Sequence, residues 1–232
     1  MVEEQTLFDD AQHIVFLTGA GVSTHSGIPD FRSDKGLYTK NKNAEYYLSH
    51  RYFAADPEGF YQFCKQNLYI PDAKPNVIHK KQAAFTKLGK ATVITQNIDN
   101  LYEEAGTKNL IDFHGNLYNV YCTKCHEKVD VKDYLHSRFH EKDHGELRPD
   151  IVLYDEGIKQ SNITRSLNAM ANADLVVIVG TSMKVYPFAG LLQYANPSAK
   201  VLAINEEQLH LPVKFTMIKD DALKFFDELE VR

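Results

Sequence analysis

The segment "IVFLTGAGVSTHSGIPDFR", Ile14–Arg32, decides the fold. Its opening, Ile14–Gly19, is a short apolar run rich in β-branched residues. Such a run predicts a strand covered on both faces. Gly19 and Gly21 follow at once, and Gly27 comes later than the third glycine of the usual dinucleotide fingerprint. Glycines at this place suit a tight turn and a close approach of backbone to phosphate. A helix opening there would offer free N–H groups to a pyrophosphate. A plain strand-to-helix turn would use the same residues. Pro29-Asp30-Phe31-Arg32 sets a rigid ring, an aromatic and a guanidinium beside the glycines. That suits a mobile cover over a nucleotide better than a buried turn.

Working outward, similar runs recur at Ala91–Asn97, Leu110–Gly115, Asp174–Gly180, Lys200–Asn205 and Lys214–Lys219. Helical spacing of apolar residues marks Asn76–Leu88, with Asn76 as N-cap, and also Asn162–Ala173 and Asp221–Leu229. Strands alternating with helices predict an α/β fold, a Rossmann-like doubly wound parallel sheet. Residues 34–75 and 116–156 break the rhythm. The first is rich in Tyr and Phe and reads as short helices, with Pro57 at a first helical turn. The second carries a cysteine pair and many histidines. They are assigned to a smaller domain, a helical insertion plus a zinc-ribbon-like one. Residues 1–33, 76–115 and 157–232 then form the nucleotide-binding domain.

The chain has 232 residues, enough for one large core that carries a small one. At 44% hydrophobic and 25% charged it is an ordinary globular composition. A net charge of -5 argues against direct nucleic-acid binding and tolerates basic peptides. The acidic start lacks the apolar region of a signal peptide, and the apolar runs are too short to span a bilayer. Three cysteines, an odd count, do not make a disulfide framework. A cytoplasmic monomer with no membrane contact is expected. Cys64 lies among aromatics and reads as buried packing.

"TQNIDNL", Thr95–Leu101, puts Gln96, Asn97 and Asp99 at the carboxyl end of a strand, where open α/β sheets bind ligands. Asn and Asp also cap helices, but one cap would suffice. His114 ends the next strand beside the same crevice, and imidazole accepts protons near neutral pH. No acidic residue stands where dehydrogenases bind ribose.

With "FHG", "YCTKC", "RPDIVLYDE", "GTSMKVYP" and "IN" following in order, the chain resembles the sirtuins, NAD-dependent protein-lysine deacylases, from Gly19 to Asn205. The resemblance implies that Gly19, Ala20, Gly21 and Ser23 serve the pyrophosphate, and that Phe31 and Arg32 belong to the cofactor loop. It places Gln96 at a ribose and Asn97, Ile98 and Asp99 around nicotinamide. Gly180, Thr181 and Ser182 hold phosphate and ribose, Asn205 and Glu206 the adenosine ribose, Asp221 and Ala222 the adenine end. His114 is the general base, assisted by Asn97. NAD is consumed: an acyl-lysine oxygen attacks the ribose carbon as nicotinamide leaves, giving free lysine and 2'-O-acyl-ADP-ribose. ADP-ribosyl transfer within the family, or an acyl-lysine reader without catalysis, are the other readings.

Acyl-lysine peptides or proteins are the implied partners. Ile151, Val152, Leu153 and Tyr154, with Val185 and Tyr186, match the segments that sandwich the peptide backbone, a β-augmentation. Asp155 stands where the family usually has glycine, and Lys184 where an apolar residue is commoner. Tyr47 and Arg51, one helical turn apart, match poorly the Tyr/Arg pair of succinyl-preferring members, so these aromatics are read as core and the acyl tunnel as apolar. The family's structural zinc takes four cysteines; here only Cys122 and Cys125 remain. His140 and His144 complete a C-x2-C-x14-H-x3-H spacing, with Asp143 as the alternative fourth ligand. A site finished by Asp143, His126 or water, and loss of zinc altogether, stay open.

Overall fold

The computed structural model describes residues 2–30 and 44–232. Phe31 and Arg32 fall outside the described residues. In chain order the strands are β1 Ile14–Thr18, β2 Ala91–Thr95, β3 Leu110–Asp112, β4 Gly115–Cys122, β5 Lys128–Val129, β6 Leu147–Ile151, β7 Leu175–Val179, β8 Lys200–Ile204 and β9 Thr216–Ile218. All six apolar runs expected to be strands are strands.

Six of them form one sheet in the order β3-β2-β1-β7-β8-β9. Every pairing in it is parallel. Counted within the sheet this is 3-2-1-4-5-6, the doubly wound order, which reverses between β1 and β7. The alternation of a strand buried on both faces is explicit. Ile14 and Phe16 enter one core with Leu175, Val177 and Val179. Val15 and Leu17 enter the other with Val176 and Ile178. In the first core Phe8, from the Val2–Asp10 helix, packs on Phe16, Phe85 and Phe225 with centroids 6.3, 5.6 and 6.1 Å away.

The expected helices form as Val77–Lys87, Gln160–Asn172 and Ala222–Glu228. Asn76 caps the first of these by accepting the Ile78 N–H at 2.9 Å. Asp221 caps the last by accepting the Leu223 N–H at 2.8 Å. The segment after Gly19 forms two 3₁₀ turns, Ala20–Val22 and Thr24–Ser26, where a regular helix would have opened a standard dinucleotide site.

The second sheet, β5-β4-β6, is antiparallel and shares a core with the Pro57–Asn67 helix. Pro57 opens that helix, and Asp56 caps it by accepting the Gly59 N–H. Cys64 is fully buried there, and burial pushes its thiol up, as packing rather than reactivity requires. The two sheets meet at Gly115, which starts β4 directly after His114.

The loops after β1 and β7 touch backbone to backbone. The Gly21 N–H donates to the Gly180 carbonyl at 2.9 Å. A Cβ on Gly21 would sit 2.8 Å from Gly180 Cα. Backbone cannot yield as a side chain tip can. Overpacking of this kind costs about 1–3 kcal/mol. Gly21→Ala is therefore expected to lower Tm by roughly 3–10 °C in a thermal melt. Gly157→Ala, where an added methyl meets nothing within 4 Å, should leave Tm unchanged.

Candidate active site

The carboxyl ends of β1, β2, β3, β7 and β8 open on one crevice of about 770 Å³. It lies at the reversal of strand order, where such sheets bind ligands. The crevice brings together the expected residues Gly19, Ala20, Gly21, Gln96, Asn97, Ile98 and His114. Gly180, Thr181, Ser182, Asn205, Glu206, Asp221 and Ala222 line it as well. So do Ile151, Val152, Leu153, Tyr154, Val185 and Tyr186.

Ser23 and Asp99 do not line it. They stand behind the wall as its support. Ser23, fully buried, donates from Oγ to Asp99 Oδ2 at 2.6 Å. Asn97, on the wall, donates from Nδ2 to Ser23 Oγ at 3.1 Å and to the Gly19 carbonyl at 3.1 Å. Burial raises the Asp99 carboxyl, and the Ser23 hydroxyl opposes that shift. A further member went unread in the sequence. His79 Nε2 lies 3.4 Å from Ser23 Oγ, while its Nδ1 accepts the Asn76 N–H at 3.3 Å. That acceptance leaves the proton on Nε2, which donates to Ser23. Burial pushes the imidazole down to about 3, so it is neutral. Its only sequence mark is its place three residues after an N-cap, which the helix alone explains.

His114 is held from Nδ1, which donates to the Gln96 carbonyl at 3.2 Å. Nε2 then keeps the lone pair. Burial lowers its pKa, and the backbone hydrogen bond partly opposes this. The ring is thus a neutral base at pH 7. Gln96 Nε2 in turn donates to Thr181 Oγ1 at 2.7 Å, tying β2 to β7 across β1.

The far wall is built from both insertions. Tyr154 pairs with Ser49 as an isolated bridge, with the His50 N–H donating to the Tyr154 carbonyl at 2.9 Å. Of the expected peptide segments, only Ile151 lies within a regular strand. Buried Arg148 fixes the turn beyond it through Glu156, at 2.8 and 2.6 Å, and through the Ile151 carbonyl at 3.0 Å. Asp155 has φ +72°, in the left-handed region that favours glycine. Its carboxylate lies 3.3 Å from Arg51 Nε. Tyr47 ends one short helix and Arg51 belongs to the next, because Ser49 caps the second by accepting the Tyr52 N–H. The two therefore do not share a helical turn. Tyr47 stacks on Phe63 at 5.0 Å. Neither residue lines the crevice. Leu48, His25 and Lys184 do. The sequence marked Lys184 only as a departure from the family and gave no sign of the other two.

The cysteine pair lies in a separate cluster. Ligand atoms of Cys122, Cys125, His140 and Asp143 all fall within 4.8 Å of one another. Cys122 Sγ to Asp143 Oδ1 is 3.5 Å, Cys125 Sγ to His140 Nδ1 is 3.5 Å, and His140 Nδ1 to Asp143 Oδ1 is 3.0 Å. A tetrahedral zinc with arms of about 2.0–2.3 Å has edges of about 3.3–3.8 Å; the two thiol edges fall in that range, and the His140–Asp143 edge would have to open by about 0.3 Å. The cluster contains Asp143, the alternative fourth ligand, and does not contain His144. The chain turns at His144, whose φ is +53° and whose N–H returns to the His140 carbonyl. The Gly145 N–H donates to Asp143 Oδ1 at 2.9 Å and holds that carboxyl low, with His140 and the thiols adding to it.

Among the described residues no helix is long and apolar enough to cross a membrane. A profile described as the Sir2 family matches residues 19–187. A protein named NAD-dependent protein deacetylase from Lactiplantibacillus plantarum is 62% identical, covering 98% of this chain and 97% of its own. The solved structure of a Sir2 protein with a p53 peptide and NAD+ superposes with TM-score 0.84 at 32% identity, covering 97% of this chain and 95% of that one. A Sir2 variant with a deacetylated p53 peptide and 3'-O-acetyl-ADP-ribose gives TM-score 0.86 at 33% identity, covering 98% and 96%. The match extends over both sheets and every wall of the crevice, and the chain belongs to the Sir2 family.

Proposed function

We propose that this chain removes acetyl and other neutral acyl groups from protein lysines, with NAD as co-substrate. The observation that carries this is the crevice itself. The glycines Gly19, Gly21 and Gly180 and a neutral imidazole open on the same space. NAD supplies a ribose carbon that becomes electrophilic when nicotinamide leaves. Asn97 and Ile98 bound the nicotinamide end, and the Ser23–Asp99 pair holds Asn97 in place. The loops after β1 and β7 receive the phosphates, and Asn205, Glu206, Asp221 and Ala222 the adenosine half. His114 Nε2 takes a proton from a ribose hydroxyl. The Ile151–Tyr154 and Val185–Tyr186 segments flank the peptide backbone. Phe31 and Arg32 complete the cofactor loop.

The acyl end is set by Leu48, Ile98 and Leu153, with Arg51 turned to Asp155. A carboxylate on the acyl chain would meet no guanidinium among the described lining residues. The test is incubation with NAD and either acetyl-lysine or succinyl-lysine peptide, read by mass spectrometry. Nicotinamide and O-acetyl-ADP-ribose from the acetyl peptide, with far less turnover of the succinyl one, are expected. Mass added to a protein without loss of acetyl would overturn deacylation. Cys64, Cys122 and Cys125 are not joined as disulfides, which suits the reducing cytoplasm, where we place the protein as a monomer. Light scattering after size exclusion checks the monomer.

His114→Ala should cut kcat at least about a hundredfold, the lower range for a positioned base, while ADP-ribose still binds in calorimetry. The base must be neutral to act, and burial lowers its pKa. The acid limb of kcat/KM should therefore lie below about pH 6.5, the ordinary histidine value.

Cys122, Cys125, His140 and Asp143 would hold one structural zinc. It would cross-link β4 to the turn before β6. Elemental analysis of protein purified without chelator should find about one zinc per chain. Asp143→Ala should lose metal and lower Tm, whereas His144→Ala should do neither. Full zinc retention in Asp143→Ala would remove the carboxylate from the site.

A further inference from the structure

His25 lies in the second 3₁₀ turn after β1, and its imidazole reaches across to the N-cap of the final helix. His25 Nε2 is 3.0 Å from Asp221 Oδ1. A carboxylate oxygen accepts, so Nε2–H donates. The two residues stand 196 positions apart in the chain, and both line the crevice. The sheet order sets what the contact spans. His25 follows β1 and Asp221 follows β9, and β7 and β8 lie between them. The pair therefore bridges the carboxyl ends of two strands, over Gly180 and Asn205. Those ends form the floor of the adenosine half.

The contact is half-buried, with 37% of the His25 side chain and 24% of the Asp221 side chain exposed. The same Oδ1 also accepts the Leu223 N–H, at 2.8 Å. One oxygen thus caps the helix and anchors the loop. The carboxylate is fixed by the cap whether or not His25 is present, so the pair costs little ordering when it forms. His25 lies far along the crevice from His114, on the side of the floor away from β2 and β3.

We propose that His25, through Asp221, is a positioning residue for the adenosine half of NAD. The pair closes that side of the crevice and acts on cofactor affinity, leaving the chemical step alone. This rests on the reading of the crevice as the NAD site. That reading is tested first, by nicotinamide release from NAD in the unaltered protein. If release fails, the functional reading falls, and His25 is not at issue.

With release established, His25→Ala should raise the KM for NAD and the dissociation constant for ADP-ribose about three- to fivefold, the range of one half-exposed hydrogen bond. The kcat and the KM for acetylated peptide should stay within about twofold. His25→Gln, which keeps an amide donor, should restore most of the affinity. Asp221→Ser keeps a capping side chain but is too short for the pair. It should weaken ADP-ribose binding at least as much as His25→Ala, since Asp221 also faces the adenosine half, and the double variant should be no worse than Asp221→Ser alone. Unchanged ADP-ribose affinity in His25→Ala would overturn the proposal. So would tighter binding, a fall in kcat at unchanged KM, or additive losses in the double variant.

Discussion

The close approach of Gly21 to Gly180 is the constraint on which the rest depends. Two central strands end side by side, and their following loops touch without side chains between them. Anything larger would force β1 and β7 apart where the order of the sheet reverses. The parallel ladder leads to that point, and both cores pack to hold it. The crevice is what remains when two backbones meet and the strands beyond them diverge.

A second layer turns that space into a site. Ser23 is its hub, accepting from Asn97 and His79 and donating to Asp99. Ser23, His79 and Asn97 are buried and Asp99 is half-buried, and each finds a partner within the layer. A buried polar network is stable only when its members are satisfied, so Asn97 is fixed from behind by Ser23 as well as by the Gly19 carbonyl. His114 is treated differently. One ring nitrogen is tied to the main chain, and the other keeps its lone pair. Burial keeps both histidines neutral, but only His79 is a donor inside the buried layer.

The strands were legible because each is buried on both faces, which forces a continuous apolar run. The crevice wall was legible where strand ends carried polar residues, as at Gln96, Asn97 and His114. What could not be read was depth. Ser23 and Asp99 sit beside Asn97 in the motifs, yet they lie behind it. His79 and His25 were hidden because helix caps and loops use the same residue types for bland reasons. The choice between Asp143 and His144 was beyond spacing, since it turns on one left-handed residue. Asp155 shows the opposite case. A departure from glycine was visible in the sequence, and its φ of +72° supplies the reason glycine is usual there.

The metal cluster and His114 stand at opposite ends of one ladder. Cys122 pairs with Leu147 at one end of β4–β6, and Gly115 pairs with Ile151 at the other. At a rise of about 3.4 Å per residue the four steps of β6 set the two ends roughly 14 Å apart. A Debye length in physiological salt is about 8 Å, so the charge of an ion at one end would reach the other only weakly through solvent. What the ladder chiefly transmits is its tilt. Replacing thiolates by an imidazole and a carboxylate changes the charge of the cluster and leaves that tilt alone. The ligand set of such a cluster is free to drift through evolution, answerable only to geometry.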